Sequence, residues 1–483
     1  MRFRDWLEKH KTLSMIVLAA LILRFGLLTY GLATQGNNYF FSFDDAYGYV
    51  EPAQSMLAGE GFSVDYYGVR YPETSRTPGY PLLITASLWA FKSVIPLIVL
   101  QLLLAAIVLP LLAWRLVFEI TGNSRFSLLA AAVSTLEPLG LIVSTLILTE
   151  VVFMITLWSA SILFLQAMRS PYETRRDLTL ASILLGVSAL IRPTGLYLVP
   201  IFALVWVLKK LSFRPWRFRE AAVGSAIIVL ASAAVFYPWI MRNQRVAGLN
   251  SLTSFSGIVP YYFTGSSVIS LATGIPFAEA RQSLRLKARA DGLTELRDPK
   301  NVPYYQREAS RIIREHPKEF LKLIPLSAFH FFTHDGYLDA VLQIGMLSGA
   351  PQSSPNITAI ARGNFSEIFS ILGRFISWPW VIFIAARLAW VAIFVLALVG
   401  ATRALIREPN RRLETIFAIS LVAAFALTSS MVGLAVTGRH RIPVNIFIVP
   451  FAAMGTIWIW NRVVTLLKRE KISAVQSAAD LQR

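Results

Sequence analysis

The stretch TLSMIVLAALILRFGLLTYGLAT, residues 12–34, decides the class of this protein. Its 23 positions hold one ionisable residue, Arg24, and they are enough for a helix that crosses the hydrocarbon core of a bilayer. No small-residue cleavage site follows the stretch, so we expect an uncleaved first span. Similar runs predict further spans at 94–114, 126–147, 150–168, 178–191, 194–208, 220–240, 377–402, 413–436 and 443–462. The sequence therefore predicts an all-α polytopic membrane protein with about 10 transmembrane helices, in a range of about 9 to 13.

The composition agrees with this class and excludes several others. Of the 483 residues, 55% are hydrophobic and 15% are charged, and the mean hydropathy is +0.56. A soluble domain carries about 25% charged residues. The chain has no cysteine, which excludes disulfides, thiolate zinc sites and cysteine nucleophiles. The sequence also lacks the phosphate-binding patterns GxGxxG and GxxxxGK[ST] of soluble nucleotide-binding folds.

The net charge of +18 is sorted along the chain. Of the 46 Lys and Arg residues, 23 lie in segments that the predicted spans place on one face: 1–11, 115–125, 169–177, 209–219, 403–412 and 462–483. The positive-inside rule places that face, and with it both termini, in the cytoplasm. These basic residues are explained by their position next to membrane helices. We therefore expect membrane lipids and no nucleic acid as partners.

The predicted spans divide the chain into three modules. Residues 1–241 form an N-terminal transmembrane module that contains the external loop 35–77. Residues 242–376 form an external segment with interfacial helices, and residues 377–483 form a C-terminal transmembrane module with a short cytoplasmic tail. Residues 78–92 are apolar but too short to span comfortably, so they predict a half-buried or re-entrant helix of juxtamembrane type.

The external loop 35–77 is acidic, against the trend of the chain. Its six carboxylates and two arginines leave a net charge of −4. Asp44 and Asp45 precede a predicted helix that ends near Gly59. Such a pair fits an N-cap favoured by the helix dipole, a general base for a hydroxyl, or shared ligation of a divalent cation. Glu150, at the outer end of a span, is a further acidic candidate, for which a solvated span end is the alternative.

Arginines on the external side form the other half of the predicted site, at Arg76, Arg192, Arg242, Arg439 and Arg441. The positive-inside rule disfavours arginine in short external loops. A guanidinium recognises phosphate with a planar fork of donors, whereas snorkelling at the membrane interface is the alternative for each one singly. Acids and bases together predict a site that binds an anionic lipid head and activates a hydroxyl.

At this point the chain resembles the GT-C membrane glycosyltransferases, in the branch of the protein O-mannosyltransferases and the lipid A aminoarabinose transferases. The resemblance centres on the first loop, where Asp45, Tyr49, Ala53 and Gly59 match the spacing of the family. Five other segments resemble recurring family segments in order along the chain: Arg76-Thr77-Pro78-Gly79-Tyr80-Pro81, Leu148-Thr149-Glu150, Leu190-Ile191-Arg192-Pro193, Pro238-Trp239-Ile240-Met241-Arg242-Asn243 and Arg439-His440-Arg441-Ile442-Pro443.

The resemblance implies transfer of a sugar from a polyprenyl-phosphate donor to a hydroxyl of a lipid, glycan or protein acceptor, by a single inverting displacement. Asp45 is then the better match to the general base, with Asp44 and Glu150 as further catalytic candidates. The external arginines are the expected ligands of the donor phosphate, and Tyr49, Tyr80 and His440 the expected substrate contacts. No cofactor is certain, and any divalent cation is expected at Asp44 and Asp45, with the less favoured pair His330 and His334, spaced i, i+4, as the alternative.

Two other functional classes compete with this interpretation. A lipid-linked oligosaccharide polymerase or ligase has no need of an acidic loop directly after the first span. A lipid or sugar transporter usually shows internal repeats and charges deep in several spans. We therefore expect an enzyme, a glycosyltransferase of the cell envelope that serves lipopolysaccharide or protein glycosylation. Its expected place is the bacterial inner membrane with the active site on the periplasmic face, and its oligomeric state is open.

Overall fold

Helices make up nearly all of the computed structural model, which describes residues 11–66, 68–169, 174–212, 217–293, 298–347, 366 and 381–480. The N-terminal half contains α1 (Lys11–Gln35), α2 (Asp45–Leu57), β1 (Ser63–Tyr66), β2 (Val69–Pro72), α3 (Gly79–Phe91), α4 (Ile95–Leu103), α5 (Leu109–Thr121), α6 (Ser124–Leu136), α7 (Pro138–Val143), α8 (Glu150–Arg169), α9 (Thr174–Ile191), α10 (Val199–Leu211) and α11 (Phe218–Ala247). The other half contains α12 (Phe255–Val259), α13 (Ser266–Thr273), α14 (Phe277–Ala290), α15 (Val302–Glu315), α16 (Pro317–Thr333), α17 (Tyr337–Gln343), α18 (Val381–Arg407), α19 (Arg412–Ser430) and α20 (Asn445–Asp480). The end of the predicted external segment and the start of the span predicted at 377–402 lie outside the described residues.

Within the described ranges, eight helical segments are long and apolar enough to cross a membrane. They are Lys11–Phe41, Ile95–Thr121, Glu150–Arg169, Pro193–Leu211, Phe218–Ala247, Val381–Arg407, Pro409–Ser430 and Gly438–Leu467. The all-α polytopic class is therefore confirmed, while the count of about ten spans stays a prediction.

The run predicted as one span over 126–147 is two helices, and that prediction was wrong. Helix α6 ends before Pro138, because a proline forces the residue before it, Glu137, out of the helical region and into extended backbone. The interruption supplies the partners of Arg24, which lies fully buried in α1. Arg24 Nε donates to Ser144 Oγ at 2.9 Å and Nη1 donates to the Thr135 carbonyl at 2.7 Å. The charge in the first span is thus a structural anchor.

Helix α8 lies at the centre of the bundle, and its two ends mark two polar clusters. Its 20 residues, at 1.5 Å per residue, measure about 30 Å, which is the thickness of a hydrocarbon core. Arg169 at its last turn pairs with Glu119 and, at 3.2 Å, with Glu414. Glu150 at its first turn lies in the second cluster. Between the two ends the helix is apolar and largely buried, so it separates two faces of the molecule.

The loop 35–77, which the sequence predicts to be external, contains a β-hairpin that was not predicted. Strands β1 and β2 form an antiparallel hairpin with Ser63 opposite Pro72 and Tyr66 opposite Val69. Helix α3 follows, and its 13 residues measure about 20 Å, too short to cross a hydrocarbon core. Thr77 Oγ1 donates to the Ile191 carbonyl at 3.2 Å, which ties the start of α3 to the end of α9.

The segment that follows α11 is helical, as predicted over 278–290 and 302–315. Helix α11 continues to Ala247, past the predicted module boundary at 242, and the division into modules stays a prediction. A small second core holds its helices together, and Tyr261, Tyr262, Leu284, Tyr305 and Ile312 are among its buried side chains. The segment contacts the first loop directly, since the Ser254 N–H donates to the Thr74 carbonyl at 2.9 Å.

Candidate functional site

A cavity of about 1350 Å³ opens at the end of the bundle where α8 begins. The first loop, the turn before α10, the segment after α11 and the turn before α20 form its walls. Seven residues singled out from the sequence line it: Asp44, Asp45, Tyr49, Arg76, Arg192, Arg439 and His440. The fold therefore brings together residues that are up to 396 positions apart in the chain (Asp44 and His440).

Asp45 lies at the first turn of α2 between two guanidinium groups. Its Oδ1 accepts from Arg76 Nη2 at 2.8 Å, and its Oδ2 accepts from Arg439 Nη1 at 2.7 Å. Burial by itself raises the pKa of this carboxyl, but the charges of Arg439 and Arg76 outweigh burial and hold the pKa well below its usual value. The side chain remains 36% exposed toward the cavity. Asp45 is thus an ionised carboxylate within reach of a ligand.

Glu150 lies behind these arginines and does not line the cavity. Its side chain is fully buried, and its Oε1 accepts a hydrogen bond from Arg439 Nε and lies 2.8 Å from Arg192 Nη1. Arg439 therefore bridges the two carboxylates Asp45 and Glu150. Three guanidinium groups face two carboxylates in this cluster, and the carboxylates of Asp44 and Asp339 lie elsewhere in the cavity wall. The guanidinium groups offer planar forks of donors to an anionic ligand.

Local contacts hold Arg76 in place. The buried carboxylate of Glu73 accepts the N–H of Arg76 at 2.9 Å. The guanidinium carbon lies 4.7 Å from the centre of the Tyr49 ring and 5.4 Å from that of Phe255. Gly48 makes room for it, because a Cβ there would lie 2.7 Å from Arg76 Nε. Helix α2 thus supplies both the carboxylate and the space for its partner.

Arg439 lies in a 3₁₀ turn, Gly438–Val444, that leads into α20. His440 Nδ1 accepts from the Thr437 N–H at 3.3 Å, which closes the start of the turn. Gly438 packs against the Asp335 carbonyl so closely that no side chain fits there. These contacts direct the Arg439 side chain toward Asp45.

Arg242, Arg441, Tyr80 and Glu150 do not line the cavity. Arg242 Nη1 donates to the Glu73 carbonyl at 2.5 Å, and its Nη2 donates to the Phe62 carbonyl at 2.6 Å, which fastens the first loop to α11. Arg441 is 1% exposed and donates to the Phe331 carbonyl at 2.6 Å. Tyr80 is fully buried and donates to Gln101 Oε1 at 2.8 Å. These side chains support the walls of the cavity.

The surroundings of Asp44 and Asp45 do not fit a divalent cation. Both oxygens of Asp45 accept hydrogen bonds from guanidinium groups, whose positive charges repel a dication. Across the described part of the chain, no group of three or more His, Asp or Glu side chains could hold a metal ion. Asp44 makes no capping hydrogen bond and lies exposed at the cavity rim.

Several lining residues were not found from the sequence. The stretch after α11 contributes Asn250, Thr253 and Phe255, and the end of α19 contributes Thr428. None of them belongs to a motif or breaks a charge rule, so no local signal marked them. Gly48 did have a signal, a glycine inside the predicted helix after Asp45, where glycine costs about 0.5–1 kcal/mol relative to alanine.

No protein-family model and no curated protein sequence matches the chain. Among solved structures, the fold is similar to the oligosaccharyltransferase AglB of Archaeoglobus fulgidus in complex with an inhibitory peptide and a dolichol-phosphate, with a TM-score of 0.49 and 14% identity over 97% of this chain and 52% of that chain. It is also similar to ArnT from Cupriavidus metallidurans bound to undecaprenyl phosphate. There the TM-score is 0.33 and the identity is 12%, over 94% of this chain and 78% of that chain. The chain spans about half the length of the archaeal protein. Both neighbours are membrane glycosyltransferases of the GT-C class that the sequence resembles, and at these identities the likeness is one of fold.

Proposed function

We propose that this protein is an integral-membrane glycosyltransferase that uses a lipid-phosphate sugar donor, with Asp45 as the general base. The observation that carries the proposal is the position of Asp45 between Arg76 and Arg439 in the wall of the large cavity. A carboxylate that abstracts a proton and guanidinium groups that bind a phosphate are the two functions that such a transfer needs.

The cavity is open to a lipid substrate as well as to water. Besides the charged cluster, its wall includes Leu196, Tyr197, Ile240 and Leu427, which belong to membrane-crossing helices. Tyr197 and Leu427 are more than half exposed on the surface of the bundle. A donor whose phosphate lies at the arginines can therefore keep its polyprenyl chain against the apolar side of the cavity.

In the proposed reaction the acceptor hydroxyl loses its proton to the Asp45 carboxylate as its oxygen bonds to the anomeric carbon. The bond from that carbon to the phosphate oxygen breaks, and the lipid phosphate leaves with the electron pair. Arg76, Arg192 and Arg439 stabilise the charge that grows on the phosphate, an effect worth about 3–4 kcal/mol for a well-placed donor. Glu150, which is buried and does not line the cavity, acts as a positioning residue for Arg192 and Arg439.

The low pKa of Asp45 has a consequence for this chemistry. A base is most effective when its pKa lies near the working pH, and two bound guanidinium groups make the Asp45 carboxylate a weak base. A donor phosphate competes for the same donors on Arg76 and Arg439. We propose that binding of the donor draws these arginines toward the phosphate and thereby raises the basicity of Asp45.

The test uses purified protein with a panel of synthetic polyprenyl-phosphate sugars, candidate acceptors and added divalent cations, and it measures release of polyprenyl phosphate. We expect release by the wild type and a loss of at least 100-fold in Asp45→Asn. Asp65→Asn is the matched control, because Asp65 is an exposed acid of the same loop and an asparagine can still accept the N–H of Gly68. Turnover of Asp45→Asn at the wild-type rate would remove Asp45 as the base. No release from any donor would contradict the proposed transfer.

A further inference from the structure

A second cavity lies at the opposite end of the bundle, between α18 and α20. It is a groove of about 470 Å³, within the range of about 300–1,000 Å³ that is usual for ligand pockets. Arg403, Arg407, Arg462 and Trp458 line it together with apolar side chains. Helix α18 ends at Arg407 and α19 begins at Arg412, on the face where Glu414 meets Arg169. The groove is therefore on the other side of the membrane from Asp45.

The packing of the two helices produces the groove. At Gly400 an added Cβ would collide with the Phe451 carbonyl, and at Gly455 it would collide with the Leu396 carbonyl. The two backbones are thus in direct contact at these glycines, without side chains between them. About one turn further along each helix stand the large side chains of Arg403 and Trp458. The space between the helices beyond the two glycines remains open and forms the groove.

The arginines of this groove differ from those elsewhere at this face in their ion pairing. In the described part of the chain, no carboxylate lies within ion-pair distance of Arg403, Arg407 or Arg462. The guanidinium carbons of Arg403 and Arg462 lie 5.8 Å and 5.6 Å from the centre of the same Trp458 ring. The neighbouring cluster at this face is different, because there Glu119 and Glu414 offset the arginines.

Three like charges on two packed helices repel each other unless an anion joins them. The groove lies in the last turns of α18 and near the end of the apolar run Gly438–Leu467 that includes the first part of α20, which we expect at the depth of the lipid headgroups. Its outer wall is apolar, with Ile406 65% exposed and Leu398 54% exposed to the membrane. A lipid with its phosphate at the arginines and its acyl chains along Ile406 and Leu398 would offset the positive charge and cover the apolar wall.

We propose that this groove is a binding site for the phosphate head of an anionic phospholipid. Arg403, Arg407 and Arg462 bind the phosphate oxygens, and Trp458 orients two of the guanidinium groups. A zwitterionic lipid carries a compensating positive charge next to its phosphate and binds more weakly. The site is independent of glycosyl transfer, because it lies at the far end of α8 from Asp45.

The test is native mass spectrometry of the full chain in detergent, titrated with phosphatidylglycerol. The groove variant is Arg403→Gln/Arg407→Gln/Arg462→Gln. The matched control is Arg125→Gln/Arg175→Gln/Arg176→Gln, which removes the same charge from exposed positions at the starts of α6 and α9, on the same face. We expect the tightest phosphatidylglycerol to bind at least tenfold more weakly to the groove variant, and within twofold of wild type to the control.

Three further measurements make the outcome decisive. Phosphatidylcholine should show no difference between the variants, and inorganic phosphate at millimolar concentration should not displace the lipid. Equal losses in both triple variants would overturn the site in favour of a general attraction to positive charge, and displacement by inorganic phosphate would overturn the lipid assignment. If the triple variant melts early in detergent, Arg462→Gln alone should still weaken binding about threefold, and unchanged binding would count against the proposal.

Discussion

Gly48→Ala gives a sharp test of the Asp45–Arg76 pair, because it adds one methyl group beside the guanidinium. The new Cβ would lie 2.7 Å from Arg76 Nε, whereas ordinary contact begins at 3.4 Å. The guanidinium must therefore retreat by about 0.7 Å. A retreat of that size lengthens the 2.8 Å bond from Arg76 to Asp45 beyond the usual limit of about 3.2 Å.

The expected cost falls on activity and not on stability. The displaced guanidinium no longer lies where it stabilises the leaving phosphate, and because complete removal of such a donor costs about 100-fold or more, its displacement predicts turnover about 10- to 100-fold lower. The free energy of unfolding should change by less than about 1 kcal/mol, because alanine favours the helix by about 0.5–1 kcal/mol and the clash involves the end of a flexible side chain. Gly26→Ala, where an added Cβ meets nothing within 4 Å, is the control.

The assay compares the rate of polyprenyl phosphate release and the melting temperature of wild type, Gly48→Ala and Gly26→Ala. We expect only Gly48→Ala to lose activity, with both variants melting close to wild type. A folded Gly48→Ala protein with activity within twofold of wild type would refute the argument that the Arg76 position is limiting. An equal loss in Gly26→Ala would show that the effect is not local.

Three more predictions concern the charged cluster. Arg439→Gln should lower kcat/KM for the donor by about 100-fold. Arg441→Gln should mainly lower the melting temperature, because it breaks a buried hydrogen bond and the contact of the guanidinium carbon 3.6 Å from the centre of the Trp390 ring. The reverse pattern would contradict the roles given to Arg439 and Arg441. Glu150→Gln should lower kcat about tenfold, because Arg192 and Arg439 lose the carboxylate that orients them. The donor KM should not rise, because the site gains positive charge. A raised KM with unchanged kcat would contradict this prediction. Because the folded-state pKa of Asp45 is depressed, its carboxylate should stay ionised well below the unfolded value of about 3.9. The profile of kcat/KM against pH, which reports the free enzyme, should therefore stay flat from pH 8 to pH 5. The contribution of Asp45 to the free energy of unfolding should be lost only at lower pH. A fall in kcat/KM with a midpoint near pH 6.5 would count against Asp45 as the base.

Most of the charged residues in the cavity wall could be predicted from the sequence because the relevant signals are local. Asp44 and Asp45 belong to a loop whose negative charge departs from the trend of the chain, and Arg76, Arg192 and Arg439 depart from the positive-inside rule. Each such violation has an energetic cost at a membrane face, and a residue can be recognised by it without knowledge of its neighbours. Phe255 and Thr428 follow the local rules and were therefore missed.

What the sequence alone determined is the class of the protein, since the length and hydropathy of each run govern whether a helix can cross a membrane. Only the tertiary structure separated Arg439 from Arg441, which are two positions apart. In a 3₁₀ turn of three residues per turn, positions i and i+2 point in different directions, so one side chain reaches Asp45 and the other is buried against Phe331. The pairing of Asp45 with a residue 394 positions away depends on how the helices pack, and no pattern along the chain encodes that distance.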